Sequence, residues 1–201
     1  DKPFEVMSLA SLFNQKDFFT EVIHADVNLF YNREIVYDNL IKFQNHYSLE
    51  DFYLDGYSND DYDHENPWLS DRALMDVVDL KANQYKNENK NFFLFPMTVM
   101  PHTPFLYDPY VGSLKYSEYW NNELSDSTLK YIYYMEYYNE FIKRMFVDPI
   151  TNESRVLDDT VYIFYGDHGA NILSDDLSLM TYNNKEEKIS PMEYRKTNSQ
   201  T

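Results

Sequence analysis

The stretch Asn91–His102, NFFLFPMTVMPH, decides the fold class, because nine of its first ten residues are apolar, Thr or Pro and none is charged. A short uncharged run of this kind suits a strand covered on both faces, as in a parallel or mixed sheet. Pro96 is the one departure, since it cannot donate to a ladder. Two further runs share the same ending: Phe19–His24 (FTEVIH) and Thr160–His168 (TVYIFYGDH) are short strand-like segments that finish at a histidine. Helical patterns lie between them. Ser8–Gln15 reads as a short amphipathic helix and about Tyr31–Phe43 as a second, with Ile35, Leu40 and Ile41 near one face. Ser70 or Asp71 can cap a helix from about Arg72 to Tyr85. A long helix from Asp126 to about Phe146 carries Leu129, Ile132, Tyr133, Tyr137, Phe141 and Met145 at helical spacing, read as core. Strands alternating with helices predict an α/β domain with a mostly parallel or mixed central sheet and helices on both faces. One domain over residues 1–201 is expected, with a polar tail from 174 to 201, and the acidic stretch Asp51–Trp68 reads as an exposed loop.

Composition narrows the function. Seventeen Lys and Arg against 34 Asp and Glu give a net charge of −17, which repels phosphate backbones, so nucleic acid is excluded as a partner. With no Cys, any metal must be held by imidazole, carboxylate, hydroxyl or carbonyl groups. No apolar run reaches the length of a membrane helix, and the first residues carry no signal-peptide pattern. The beginning in mid-pattern suggests a piece of something longer.

Three of the five histidines, His24, His102 and His168, stand at or just beyond predicted strand ends, whereas His46 and His64 fall in polar sequence and read as surface residues. Ligands in open α/β sheets collect at the carboxyl ends of strands, where the loops diverge. A histidine ending a strand can equally be capped by solvent. The three together favour one pocket, to which His24 brings Asp26 and His168 brings Asp167. Asp167 and His168, between Gly166 and Gly169, suit a divalent ion that keeps positions open for substrate.

The segments His24-Ala25-Asp26-Val27-Asn28-Leu29-Phe30-Tyr31-Asn32-Arg33, Met97-Thr98-Val99-Met100-Pro101-His102-Thr103-Pro104-Phe105 and Tyr165-Gly166-Asp167-His168-Gly169 resemble, in order and rough spacing, the lipoteichoic acid synthase branch of the sulfatase and alkaline phosphatase superfamily. The resemblance runs from about residue 8 to 172. It implies a bacterial enzyme on the extracellular face of the cell membrane, anchored by segments outside this chain. Such an enzyme transfers glycerol phosphate from a phosphatidylglycerol-type lipid to a polymer or glycolipid. It uses a threonine nucleophile, expected upstream of Asp1, and a divalent metal, Mn²⁺ first, with Zn²⁺ or Mg²⁺ as alternatives. By position, Asp167 and His168 match metal ligands. His24, Asp26, Tyr31, Arg33 and His102 match residues that bind the substrate, His102 also serving catalysis. Tyr31 stands where these synthases usually place Trp. Competing readings are a sulfatase-fold hydrolase, a phosphoethanolamine transferase, or a non-catalytic surface module for polyol phosphates or a protein partner.

Overall fold

A computed structural model describes residues 6–58, 68–99, 102, 124–167 and 176. Among these, three strands form a parallel sheet in the order β2-β1-β3: β1 Phe19–His24, β2 Asn45–Tyr47 and β3 Phe92–Met97. The order places β1 in the middle, with Val22 opposite both His46 and Phe95, and His24 opposite Met97. Alternation along β1 sorts its side chains to two faces. Thr20, Val22 and His24 share one; Phe19, Glu21 and Ile23 share the other.

Helices cover both faces. On the Val22 face, α1 (Leu9–Asn14) and the irregular helix after β1 pack Ala10, Tyr37, Ile41 and Phe43 against Phe93, Phe95 and Met97. Ser8 caps α1: its hydroxyl accepts from the Ser11 amide at 3.0 Å. On the opposite face, α4 (Asp71–Asn87) lies with Tyr85 beside Phe19 and Phe92. The Ser70 hydroxyl begins that helix by accepting from the Ala73 amide.

Glu21, in mid-strand on this second face, is fully buried. A carboxylate there must be satisfied from its neighbours. Asn45 Nδ2 donates to it at 2.5 Å and Tyr85 Oη at 2.7 Å, and Lys81 Nζ lies 3.4 Å away over the Tyr47 ring. Pro96 is tolerated because β3 has one neighbour among the described residues and forms an edge of this sheet.

Four expectations need correction. The helix over 31–43 is not uniform: Phe30–Asn32 is a 3₁₀ turn, α2 is Arg33–Ile35, and Val36–Ile41 is π-helical. The wider turn brings Tyr37 and Ile41 to the core and leaves Ile35 and Leu40 exposed. Within the predicted loop 51–68, residues 51–54 complete α3 (Leu49–Leu54), where the Asp51 carboxylate accepts from the Ser48 amide at 2.8 Å; 59–67 lie outside the described residues. His46 is not a surface residue but part of β2, with both ring nitrogens buried. Thr160–Tyr165 joins no ladder among the described residues, and Val161 and Ile163 are about four-fifths exposed at 83% and 79%. An apolar run becomes a strand only when a partner supplies the other half of its hydrogen bonds.

The long helix α5 (Asp126–Phe146) has the predicted bounds, with Tyr134, Tyr137 and Phe141 as its buried stripe. The chain divides into two compact units, Asp1–Val111 with Tyr137–Asp158, and Gly112–Glu136 with Asp159–Thr201. In the second, the Asp176 carboxylate accepts from the Ser125 amide at 3.1 Å and from Thr128 Oγ1 at 2.6 Å, closing the start of α5. In the first, Arg155 ties the turn after α5 to α4, reaching Asp148 at 2.7 Å and Asp76 at 3.5 Å. No described helix is long and apolar enough to cross a membrane.

Candidate functional site

In open parallel α/β sheets, ligands collect at the carboxyl ends of the strands. β1 ends there with His24, buried at 1% exposure. The chain then bends through Ala25 and Asp26, also buried. Asp26 is anchored by its backbone oxygen, which accepts from the Leu49 amide at 3.0 Å, and by Oδ1, which accepts from the Val27 amide at 2.7 Å. The Glu50 carboxylate accepts from the Asn28 amide at 3.2 Å. α3 therefore fixes the β1 exit loop from the β2 side.

Next come Tyr31 and Asn32, both left-handed, at φ +52° and +56°. Asn visits this region readily; Tyr does not, and such a conformation costs on the order of 1–3 kcal/mol. The reversal carries Arg33 back toward the strand. Its terminal nitrogen Nη1 comes within 2.6 Å of His24 Nε2 and 2.9 Å of Nδ1, and its guanidinium lies 5.0 Å over the Phe30 ring. Tyr31 is left exposed, edge-on to Phe30 at 4.4 Å.

Burial, then the charge of Arg33, then that of His46 lower the His24 imidazole from 6.5 to about 3. His24 is therefore neutral near neutral pH and has one lone pair to accept from Arg33. Asp26 is raised by burial, against the Val27 amide and Arg33, which both favour its charge. His46 is lowered, chiefly by burial. The result is one persistent cation, Arg33, oriented by a neutral imidazole and free to present its remaining N–H groups to an anion.

Of the predicted site residues, the structure brings together His24, Asp26 and Arg33, with Tyr31 beside them on Phe30. His102 is exposed, in the segment that follows β3. Asp167 is exposed within the second unit, and His168 lies outside the described residues, as does His64. Among the described residues no group of three His, Asp or Glu side chains is placed to hold a metal. Asp167 offers a hard oxygen donor but does not make a site by itself. Sequence reasoning missed Glu50, whose signal was the Ser48-x-x-Asp51 cap ahead of it, and the reach of Asp71, read only as a cap.

The sulfatase family model matches residues 1–193. The chain is 28% identical over 164 residues to a lipoteichoic acid synthase of Staphylococcus saprophyticus, covering 80% of this chain and 23% of that protein. Among solved structures it is similar to the lipoteichoic acid synthase LtaP from Listeria monocytogenes, with a TM-score of 0.53 and 20% identity over 70% of this chain and 33% of that one. The chain thus spans about a quarter of the curated relative's length and a third of the solved one. The parallel sheet agrees with that fold, and the match over nearly the whole chain shows that it belongs to the sulfatase family.

Proposed function

We propose that this chain holds the glycerol phosphate in an enzyme that transfers it from a phosphatidylglycerol-type lipid to a polymer or glycolipid acceptor at the outer face of the bacterial membrane. The observation that carries the reading is the contact of Arg33 with a buried, neutral His24 at the carboxyl end of the central strand. Phosphoryl transfer needs positioning and charge neutralisation more than it needs covalent chemistry from the protein. Arg33 supplies both: His24 takes one N–H, and the remaining fork can donate to two phosphate oxygens. Asp26, whose Oδ1 is committed to the Val27 amide, keeps Oδ2 to accept a glycerol hydroxyl. Tyr31 and Phe30 wall the loop with aromatic surface. His102, exposed beyond β3, is placed in the role of proton donor to a leaving oxygen. A divalent metal, Mn²⁺ first, would be held by Asp167 and His168, and the chemistry it would supply is to acidify a coordinated hydroxyl.

The test is turnover of phosphatidylglycerol by the whole protein in membranes, with acceptor present. Glycerol phosphate should appear on the acceptor, and Arg33→Lys should abolish most of it. Release of free glycerol phosphate to water would instead make the protein a hydrolase. Turnover of phosphatidylethanolamine alone would make it a phosphoethanolamine transferase.

A further inference from the structure

The residues that begin α4 touch the chain just beyond both β1 and β3. The Leu69 amide donates to the Ala25 carbonyl at 3.0 Å, and Ala25 lies between His24 and Asp26. Two residues on, the Asp71 carboxylate accepts from the Val99 amide at 2.9 Å, and Val99 lies beyond β3, three residues before His102. Leu69, Ser70 and Asp71 are all buried, with Asp71 at 0% exposure.

Ser70 already fills the capping position of α4, so Asp71 is not needed for that purpose. A carboxylate buried this completely carries a large solvation cost, of which the helix N-terminus offsets only a part. An apolar side chain would avoid that cost but could not accept from the Val99 amide. That amide lies past the end of β3, where the parallel ladder to β1 has stopped at Met97.

We propose that Asp71 is a positioning residue. Through the Val99 amide it fixes where the chain leaves β3, three residues before His102. Together with the Leu69 contact to Ala25, it holds that exit in register with His24, Asp26 and Arg33, so that both strand ends address one phosphate group. The inference rests on the reading of this edge as a glycerol phosphate site.

The experiment compares Asp71→Asn, Asp71→Leu and Val99→Pro. It measures amide exchange at Val99 and Leu69, circular dichroism, and the Kd for sn-glycerol 1-phosphate. Asn keeps an acceptor oxygen at the same volume, so Asp71→Asn should stay within about threefold of wild type in both exchange and affinity. Asp71→Leu should speed Val99 exchange and weaken binding, each by about tenfold, with the helical signal intact. Val99→Pro removes the donor and leaves Asp71 untouched; it should weaken binding to the same extent, and it carries the test if the Leu variant does not fold. Wild-type affinity in folded Asp71→Leu or in Val99→Pro overturns the proposal. So does an Asn variant as damaging as Leu, because the charge and not the acceptor would then be what matters. If wild type itself does not bind glycerol phosphate, the substrate reading fails, and unchanged Val99 exchange in Asp71→Leu would then overturn the positioning role separately.

Discussion

Arg33 Nη1 lies 2.6 Å from Nε2 of His24, so a buried imidazole that stays neutral acts as the acceptor that aims a guanidinium. The pair is assembled from residues nine apart, at the cost of a left-handed Tyr31 and Asn32 between them. Such strain persists only where the surroundings over-determine the conformation. Here the anchors are the contacts of Asp26 and Asn28 with α3.

Replacement of Arg33 by Lys tests whether the planar fork matters. Lys keeps the charge but donates from a single point and cannot span two phosphate oxygens. We expect Arg33→Lys to weaken binding of glycerol phosphate by about tenfold or more, while the melting temperature moves by only a few degrees, since Arg33 is half-buried and not in the core. Calorimetry and a thermal melt read the two quantities separately. Equal affinity in the variant would remove Arg33 from the substrate site.

The same pair predicts an acid-sensitive fold. Unfolding returns His24 from about 3 to 6.5, so between those values the unfolded chain binds a proton that the native chain does not. Stability should therefore fall as pH drops through 6.5, by up to ~1.4 kcal/mol per pH unit from this group. His46, lowered by burial, adds with the same sign; Asp26, raised by burial, acts with the opposite sign, in the carboxylate range. Denaturant midpoints measured from pH 7 to 5 should decline in wild type and decline less in His24→Gln. An identical slope in both would mean that His24 is not the group responsible.

Glu21 and Lys81 give a prediction confined to the fold. Removing one partner of a buried ion pair leaves the other charge stranded, which usually costs about 3–5 kcal/mol. Tyr85 and Asn45 still hold Glu21, and Lys81 is partly exposed, so Lys81→Met should cost less, about 2–3 kcal/mol. Adding Glu21→Gln should recover part of the loss. Full additivity of the two changes in urea denaturation would show that they do not interact.

The fold was legible where local rules act over enough residues. β1, α5 and the start of α4 carry apolar periodicity or a capping serine, and these elements lie where the pattern puts them. β2 is three residues, Asn45-His46-Tyr47, too short and too polar to show a period of two. Its strand character comes from pairing with β1, a contact 24 residues away in sequence. The error at Thr160–Tyr165 has the same origin with the opposite sign, since composition cannot say whether a partner is present. At the site, the residue types were readable from the motif. The Arg33 approach to His24 was not, because it depends on a left-handed Tyr31 that no propensity favours, and the Asp71 contact joins positions 28 apart.

On the proposed assignment, Asp167 and His168 are two donors, while a tetrahedral catalytic ion commonly takes three from protein and leaves one position for substrate. Asp167 is exposed, and ligating side chains depend on further hydrogen bonds to hold their direction. Each absent donor weakens affinity and also loosens those that remain. These 201 residues should therefore bind Mn²⁺ and Zn²⁺ weakly, with a Kd well above the micromolar range, and Asp167→Asn should reduce that further. Isothermal titration with each ion reads this directly, with no need for turnover. A 1:1 site of submicromolar affinity that His168→Ala abolishes would mean that other residues of these 201 complete the donor set.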